Sequence, residues 1–370
     1  MVLLGAGLLA ACSSPSPTQA PPPTTAAPTT AAPTPAKAPV KLVHSSYSNK
    51  TNSENVFDEW YLNEISRRSG GLVVFELNFN GSLTAGTETL PAVRSGAVDL
   101  SNPPPAYFAS QEPLHNLFSA SRGTDVAGSQ KVLVDLEFGT SEISKLLKAE
   151  SEANNIKYLV WHPLEYKIMT KNKVEKLADL KGMKIRSVGN FEPPVLQEYG
   201  AIPVNALWPE IYEAISRGTL DGAPTPTDWM VPYKIHEAAK FVSFSAGTIG
   251  SSPLVININS FNKLPDEVKA IIDDPKFREE ANQKLMQTWG DIVEKDRKTA
   301  EAAGVTFVTV DPAEQEKLWD GFKKVTLNVY PADLAKLNRL DDALKILDAW
   351  LTANSGQGLK YWDDKFGIKR

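Results

Sequence analysis

A nine-residue phrase occurs twice in this chain, as AVRSGAVDL at residues 92–100 and as AISRGTLDG at residues 214–222. Each copy has the pattern of a helix end with a glycine cap, followed by a short apolar segment that leads to Asp99 or Asp221. Each therefore predicts a helix that feeds a strand, and a proline-rich loop follows at the carboxyl end of each strand. Ligands of open α/β sheets bind at such ends. Two such units predict two lobes around a cleft that binds a small molecule.

Length and composition agree with a globular protein of two lobes. The 370 residues are 42% hydrophobic and 22% charged, which is enough for two apolar cores. The formal net charge is −5, from 39 basic and 44 acidic residues, and no basic stripe is present. We therefore expect no nucleic-acid partner.

The single cysteine, Cys12, follows a short apolar segment and small residues. This pattern is typical of a lipoprotein signal, in which residues 1–11 are removed and the cysteine is acylated. A buried cysteine in an ordinary helix is the alternative, but residues 13–38 are almost all Ser, Pro, Thr or Ala and cannot pack into a core. We predict that residues 12–38 form a lipidated tether and that the folded protein is held on the outer face of the cell membrane.

Strands and helices alternate along the folded part, which predicts an α/β protein with mixed, mostly parallel sheets. A strand is expected at residues 156–161, with passage into the second lobe near Pro163, and residues 201–207 read as an extended crossover. From Pro265 onward the apolar spacing predicts long helices with one buried face. The predicted parts are lobe 1 (residues 39–162 and 252–291), lobe 2 (residues 163–251 and 292–345) and a C-terminal helical extension (residues 346–370).

No motif for catalysis is visible in the sequence. The segment that begins at His236 starts like the HExxH zinc helix, but Lys240 stands where the second zinc ligand belongs. The four histidines are scattered along the chain, and the sequence contains neither a GxSxG nucleophile elbow nor a P-loop. We expect a protein that is not an enzyme and that needs no cofactor.

Arg186 is the best candidate for binding a ligand. It lies near the carboxyl end of the predicted strand MKIRSV, after a tight turn that ends at Gly182. A guanidinium at the mouth of a strand can form two parallel charge-assisted hydrogen bonds to a carboxylate, a geometry that lysine cannot match. A surface salt bridge is the alternative interpretation of the same arginine.

Four segments together resemble the solute receptors of tripartite ATP-independent periplasmic (TRAP) transporters, and the dicarboxylate-receptor (DctP) type most closely. They are LADLKGMKIRSVGN, WPEIYEAISRGTLDG, KIHEAAKFV and ININSFNKLPDEVKAIID, and the resemblance covers residues 40–320. It implies the two-lobed fold of periplasmic binding proteins (type II), with a cleft that closes on an organic acid. It also implies delivery of that acid to the membrane subunits of a TRAP permease, and it assigns Arg186 to the ligand carboxylate.

Other site residues follow from the resemblance less directly. Trp208 matches an aromatic residue that lines the pocket in the family, and Thr225 matches a polar residue, commonly asparagine. Tyr166 stands where several members have a second arginine, so a monocarboxylate with an apolar or aromatic body is favoured over a dicarboxylate. Further candidates are Tyr107 and Trp229 on the cleft loops, Tyr47 after the first strand and Glu88 at the start of a helix.

The pair Asp228 and Trp229 loosely resembles an acidic–tryptophan pair of the keto-acid receptors, where a cation assists binding, but its spacing differs. We therefore predict that no metal is required. The leading expectation is a monomeric, lipid-anchored receptor for an organic acid. An ABC-type or sensory receptor is the alternative within the binding proteins, and an exported hydrolase is disfavoured by the absence of nucleophile and metal motifs.

Overall fold

The chain from Ala38 onward is organised around one mixed sheet. The computed structural model describes residues 38–120 and 125–370, with backbone alone at residues 248–251. The strands are β1 (Val40–Ser45), β2 (Val73–Asn78), β3 (Leu100–Ser101), β4 (Ile156–Thr170), β5 (Lys184–Ser187), β6 (Ile202–Asn205), β7 (Gly222–Pro226), β8 (Phe241–Asn257) and β9 (Thr306–Phe307). Within the described residues they join in the order β2-β1-β3-β8-β4-β7-β5-β6, with β9 beside β8.

Helices cover this sheet, and the longest of them come late in the chain, as the sequence predicts. They are α1 (Ser53–Arg68), α2 (Thr89–Ser95), α3 (Val126–Phe138), α4 (Glu142–Ala153), α5 (Glu192–Glu198), α6 (Trp208–Ser216), α7 (Ile235–Ala238), α8 (Ile258–Asn262), α9 (Asp266–Asp273), α10 (Pro275–Ala302), α11 (Pro312–Ala335), α12 (Leu340–Ser355) and α13 (Leu359–Phe366). In the described part of the chain, none of them is both long enough and apolar enough to cross a lipid bilayer.

Two parallel half-sheets are joined by a pair of long antiparallel strands. Strand β1 pairs in parallel with β2 and β3, and β5 pairs in parallel with β6 and β7. Strands β4 and β8, of 15 and 17 residues, pair antiparallel with each other and continue through both halves. The predicted two-lobed α/β class with a mostly parallel mixed sheet is confirmed.

Strand β4 is longer than the predicted strand at residues 156–161, since it continues without a break to Thr170. Pro163 lacks the N–H that a ladder needs, which favours a strand end at that point. The structure instead keeps the proline inside the strand, with shifts of register on both sides of it against β8. Pairing with a distant strand therefore overrides the local signal.

The repeated phrase forms the same structure twice. Gly96 and Gly218 both have φ near 77°, the left-handed conformation that ends each helix. Asp99 then accepts a hydrogen bond from the backbone N–H of Val43 in β1, and Asp221 accepts one from Lys184 in β5, both at 2.8 Å. Each aspartate therefore fastens its strand to a parallel neighbour, far from a ligand role.

Two proline-containing segments are strands, where the sequence predicts a crossover and a loop. Residues 202–205 form the edge strand β6, where the missing N–H of Pro203 is tolerated. Residues 222–226 form β7, which is registered with β5 at a single position but with β4 along its whole length. The ladder to β4 holds β7 extended despite Pro224 and Pro226.

Helices α10 and α11 contribute to more than one apolar cluster. Phe277 and Leu285 of α10 pack with α1, whereas Ala300 at its other end packs with β5 and α6. Similarly, Phe322 of α11 packs with the second half-sheet and Tyr330 with α3 and α12. The lobe boundaries stay a prediction, and this packing favours an end of the second lobe before residue 327.

Candidate ligand-binding cleft

A cavity lies at the carboxyl ends of the parallel strands, between the two half-sheets. It has roughly 490 Å³ of unfilled space that is partly open to solvent. The loops after β1, β3, β5 and β6 supply its walls, as expected for a ligand site of an open α/β sheet. Of the eight predicted ligand residues, the structure brings five to this cavity: Tyr47, Tyr107, Tyr166, Arg186 and Trp208.

Arg186 is a buried cation at the wall of the cavity. Its side chain is only 1% exposed, its Nε donates to the carbonyl oxygen of Ala206 at 3.2 Å, and its guanidinium carbon lies 4.6 Å from the centre of the Trp208 ring. Among the described residues no carboxylate lies within 4.0 Å of its nitrogens. Because a buried charge without a partner is costly, the geometry calls for an anion.

Aromatic rings form the rest of the wall around this arginine. The ring centres of Tyr47 and Tyr107 are 6.2 Å apart, and the Tyr47 hydroxyl lies 3.1 Å from the Ser252 hydroxyl. Burial raises the pKa of Tyr107, and the nearby Arg186 opposes this rise. The phenol thus stays protonated near neutral pH and can donate a hydrogen bond to an acid.

Three predicted residues lie away from the cavity. Trp229 is fully buried behind Trp208, with ring centres 5.0 Å apart, and supports that ring instead of meeting the ligand. The Thr225 hydroxyl donates to the carbonyl of Ala223 in its own strand at 3.1 Å. Glu88 is exposed, and its carboxylate accepts the Ala85 N–H at 2.9 Å as a cap at a helix start.

A seam of hydrogen bonds connects the two halves across the cleft. Ser53, at the start of α1, donates its N–H and its hydroxyl to Asp228 Oδ2, at 3.2 and 2.5 Å. Beside it, Trp229 Nε1 donates to Glu54 Oε2 at 3.1 Å. Burial, and then the neighbouring Asp228, raise the pKa of Glu54 to about 7, and burial also raises the pKa of Asp228. These hydrogen bonds join the start of α1 to the segment that follows β7.

The model of bacterial extracellular solute-binding protein family 7, named DctP, matches residues 43–333. The chain belongs to this family. The resemblance to TRAP receptors that the sequence motifs carry is therefore confirmed, as is the expectation of a solute receptor.

Relatives of this family 7 protein have diverged far in sequence but keep the fold. The 2,3-diketo-L-gulonate-binding periplasmic protein YiaO of Escherichia coli is 24% identical, over 65% of this chain and 73% of its own. The C4-dicarboxylate-binding periplasmic protein DctP of Rhodobacter capsulatus is 25% identical, over 68% and 74%. A TRAP periplasmic solute binding protein from Rhodoferax ferrireducens, solved with bound malonate, is 20% identical, with a TM-score of 0.73 over 84% of this chain and 98% of that one.

Three polar residues of the cavity, Ser119, Asn190 and Glu192, are not among the ligand residues predicted from the sequence of the family 7 protein. Glu192 opens α5, and its Oε2 accepts the Val188 N–H at 3.0 Å. Asn190 donates to Asp333 Oδ2 at 2.6 Å and accepts from Asn116 at 3.1 Å. The sequence contains one local signal for Glu192. It lies six positions after Arg186, and the two prolines that follow it are typical of a helix start.

The histidines of this family 7 protein are less scattered than their sequence positions indicate. His162 Nε2 lies 3.0 Å from Asp58 Oδ1, and His44 Nε2 lies 4.0 Å from the other oxygen of that carboxylate. His236 contacts the carbonyl of Met230 at 3.0 Å, so it caps its own loop. In the described ranges, no three His, Cys, Asp or Glu side chains are grouped to hold a metal ion. Cys12 lies outside the described residues.

Proposed function

We propose that this family 7 protein is an extracytoplasmic receptor that binds an organic acid through a single carboxylate and passes it to a TRAP permease. The observation that carries the proposal is Arg186, a buried guanidinium on the cavity wall with no acidic partner within 4.0 Å among the described residues. A ligand carboxylate would supply the missing charge and two hydrogen-bond acceptors.

The residues around Arg186 favour one ligand carboxylate over two. Arg186 is the only Lys or Arg among the residues described as lining the cavity, and the neutral Tyr166 occupies the position where the resemblance places a second arginine. A second carboxylate would therefore lose its hydration without gaining a cation. The three relatives named with this family are each named with an organic acid, which supports recognition of a carboxylate.

Replacing Arg186 tests the proposal directly. We expect Arg186→Ala to weaken acid binding by several kcal/mol, which is about a hundredfold or more, because it removes one partner of a buried charge pair. Arg186→Lys should restore only part of the affinity, since an ammonium cannot form the planar two-point contact. Titration calorimetry with short-chain, keto, sugar and aromatic acids is the measurement.

Arg217→Ala is the matched control, because Arg217 is 77% exposed and pairs with Glu213 on α6. It should leave the affinity unchanged. Equal binding by wild type and Arg186→Ala would place the carboxylate elsewhere and contradict the proposal. Binding of neutral sugars alone would favour a receptor of another type.

The anchoring of this receptor is a second part of the proposal. Acylation of Cys12 and the tether at residues 12–38 would keep the binding unit beside the permease, and the binding unit itself would act as a monomer that leaves its ligand chemically unchanged. Cys12→Ser should move the protein from the membrane fraction to the released fraction of the cells that make it. Continued membrane association of that variant would contradict lipid anchoring.

A further inference from the structure

Glu192 is the one carboxylate among the described residues that line the cavity, and no expectation from the sequence assigned it a role. It is partly buried, and one of its oxygens, Oε2, is held by the N–H of Val188. It shares the cavity with Arg186, yet the two groups form no ion pair within 4.0 Å. The cavity therefore presents a cation and an anion at separate points.

The loop that carries Glu192 is fixed from several sides. Asn190 is tied to α11 through Asp333 and to the segment of Asn116 in the other half. Gly189 has φ near 67°, and a Cβ built there would lie 3.4 Å from the Cβ of Ala106. A carboxylate on so constrained a loop is preorganised, and preorganised polar groups in a pocket determine which ligands fit.

We propose that Glu192 is a specificity-determining residue that accepts a hydrogen bond from a hydroxyl or ammonium group of the ligand. The inference rests on the proposed function, since it places the ligand carboxylate on Arg186 and the donor group on Glu192. The preferred substrates are then hydroxy acids or amino acids. Simple fatty acids lack the donor, and a dicarboxylate would bring a second negative charge against Glu192.

The alternative role for Glu192 is that of counter-ion to Arg186, and the geometry disfavours it. Burial raises the pKa of Glu192, whereas Arg186 and the Val188 N–H oppose this rise. The guanidinium carbon, however, lies 4.6 Å from the centre of the Trp208 ring, its Nε bonds the carbonyl of Ala206, and it forms no ion pair with Glu192 within 4.0 Å. Both charged groups line the same cavity.

Three matched triplets of acids separate the effects of charge and donor group. They are propionate, lactate and malonate; hexanoate, D-gluconate and adipate; and benzoate, 4-hydroxybenzoate and terephthalate. Dissociation constants are measured at pH 8 for wild type, Glu192→Gln, Glu314→Gln and Arg186→Ala. Glu314 is the matched control, because it too accepts a backbone N–H near a helix start, from Leu177 at 2.9 Å, but outside the cavity.

In wild type we expect the donor-bearing acid to bind best within its triplet. Glu192→Gln should weaken that acid about tenfold, because a charge-assisted hydrogen bond becomes a neutral one, and should tighten the dicarboxylate. Glu314→Gln should change neither. A donor preference that is identical in wild type and Glu192→Gln, with binding still lost in Arg186→Ala, would overturn the role of Glu192 alone. Absence of binding by every acid to wild type would overturn the proposed function together with it.

Discussion

Arg186 shows how a single side chain can define a site before any ligand is known. It has one hydrogen bond to a backbone carbonyl, one aromatic face beneath it and no acid within ion-pair distance among the described residues. Arginine suits such a position because its charge persists in a buried setting and its planar group stacks on indole. A lysine there would lose its proton more readily on burial.

The seam between the two halves contains buried acids that lie close together, whereas Arg186 is a buried base without an acid beside it. Glu54 and Asp228 are both fully buried, and each raises the cost of ionising the other. His162, which lies near them and bonds Asp58, partly offsets this cost, and its own pKa is raised by its acidic neighbours against the effect of burial. We expect the cleft to open for ligand exchange; water would then solvate both acids, and their pKa values should return toward the ordinary range.

Acid affinity should therefore decline as the pH rises from about 5 to about 7. In this structure the carboxyl of Glu54 keeps its proton up to its pKa of about 7, whereas a solvated Glu54 in an open form would lose it above pH 4.5. Closure thus takes up a proton within that window, and higher pH opposes it. We expect at least a tenfold change between pH 5 and 7, measured by calorimetry with an acid of pKa below 4.

Glu54→Gln should flatten this pH dependence, because the amide imitates the protonated acid. Glu112→Gln is the control: Glu112 is also buried with a pKa raised to about 7, but it bonds Tyr158 within one apolar cluster and not across the cleft. That variant should alter the pH dependence of unfolding and leave that of binding intact. Equal pH profiles for wild type and Glu54→Gln would contradict closure linked to the seam.

Single residues differ in how well the sequence predicts them. The place of Arg186 at the cavity could be predicted, because its position at a strand end and the family resemblance both indicate it. Glu192 could not, because an acid at a helix start is an ordinary cap and only the position of its loop brings it to the cavity. Thr225 and Trp229 do not line the cavity, because Thr225 is part of strand β7 and bonds its own strand, and Trp229 packs behind Trp208.

At the scale of elements, the repeated phrase explains how each half-sheet is fastened. Asp99 Oδ2 and Asp221 Oδ2 each accept a strand N–H at 2.8 Å, and Asp99 Oδ1 also accepts the Ser260 hydroxyl at 2.5 Å. The copies differ next to the aspartate: Gly222 replaces leucine, since a Cβ there would lie 2.3 Å from the Met169 carbonyl oxygen in β4. The repeat is thus structural, and the close crossing of β7 and β4 explains the glycine at the last position of the second copy.

Removing either aspartate should cost stability without changing the ligand contacts. We expect Asp99→Ala to lower the free energy of unfolding by about 2 kcal/mol and Asp221→Ala by about 1 kcal/mol, because each leaves a strand N–H unpaired. We expect the larger effect at Asp99, because its hydrogen bond from Val43 is less exposed than the corresponding bond of Asp221. The substitution at Asp99 also removes the acceptor of the Ser260 hydroxyl. Denaturant midpoints at unchanged m-value measure both.

A reversed order of the two losses, or a large loss of acid affinity at unchanged stability, would contradict this structural role.

The two copies of the repeated phrase also show which features local sequence patterns predict. The helix ends and glycine caps follow from short-range geometry, and they are as predicted. The strands β6 and β7 do not, because their prolines argue for loops and only neighbouring strands make them extended.

At the scale of the whole molecule, the late helices tie the two halves together. Phe322 and Tyr330 lie on one helix but in different apolar clusters, and the same is true of Leu285 and Ala300. Strands β4 and β8 also run through both halves. Both halves therefore depend on the same four elements: the helices α10 and α11 and the strands β4 and β8.

Unfolding of residues 38–370 should consequently be a single cooperative transition. We expect tryptophan fluorescence and far-ultraviolet circular dichroism to give coincident curves, with calorimetric and van't Hoff enthalpies in agreement. Phe322→Ala should lower the free energy of unfolding of this single transition by about 3 to 5 kcal/mol, the usual cost of truncating a buried phenylalanine. Two separate transitions, or loss of only one of them in the variant, would show that the halves fold independently.

The sequence by itself determined the α/β class, the order of most elements, the family resemblance and the arginine at the strand mouth. These depend on periodicity, caps and motif order, which are properties of short segments. The tertiary structure decided the rest: the single sheet through both halves, the strands that contain proline, the seam of Glu54 and Asp228, and the entry of Glu192 into the cavity. Each of these depends on contacts between residues that are distant in the chain. The free energy of such contacts comes from neighbours that a local sequence pattern does not include.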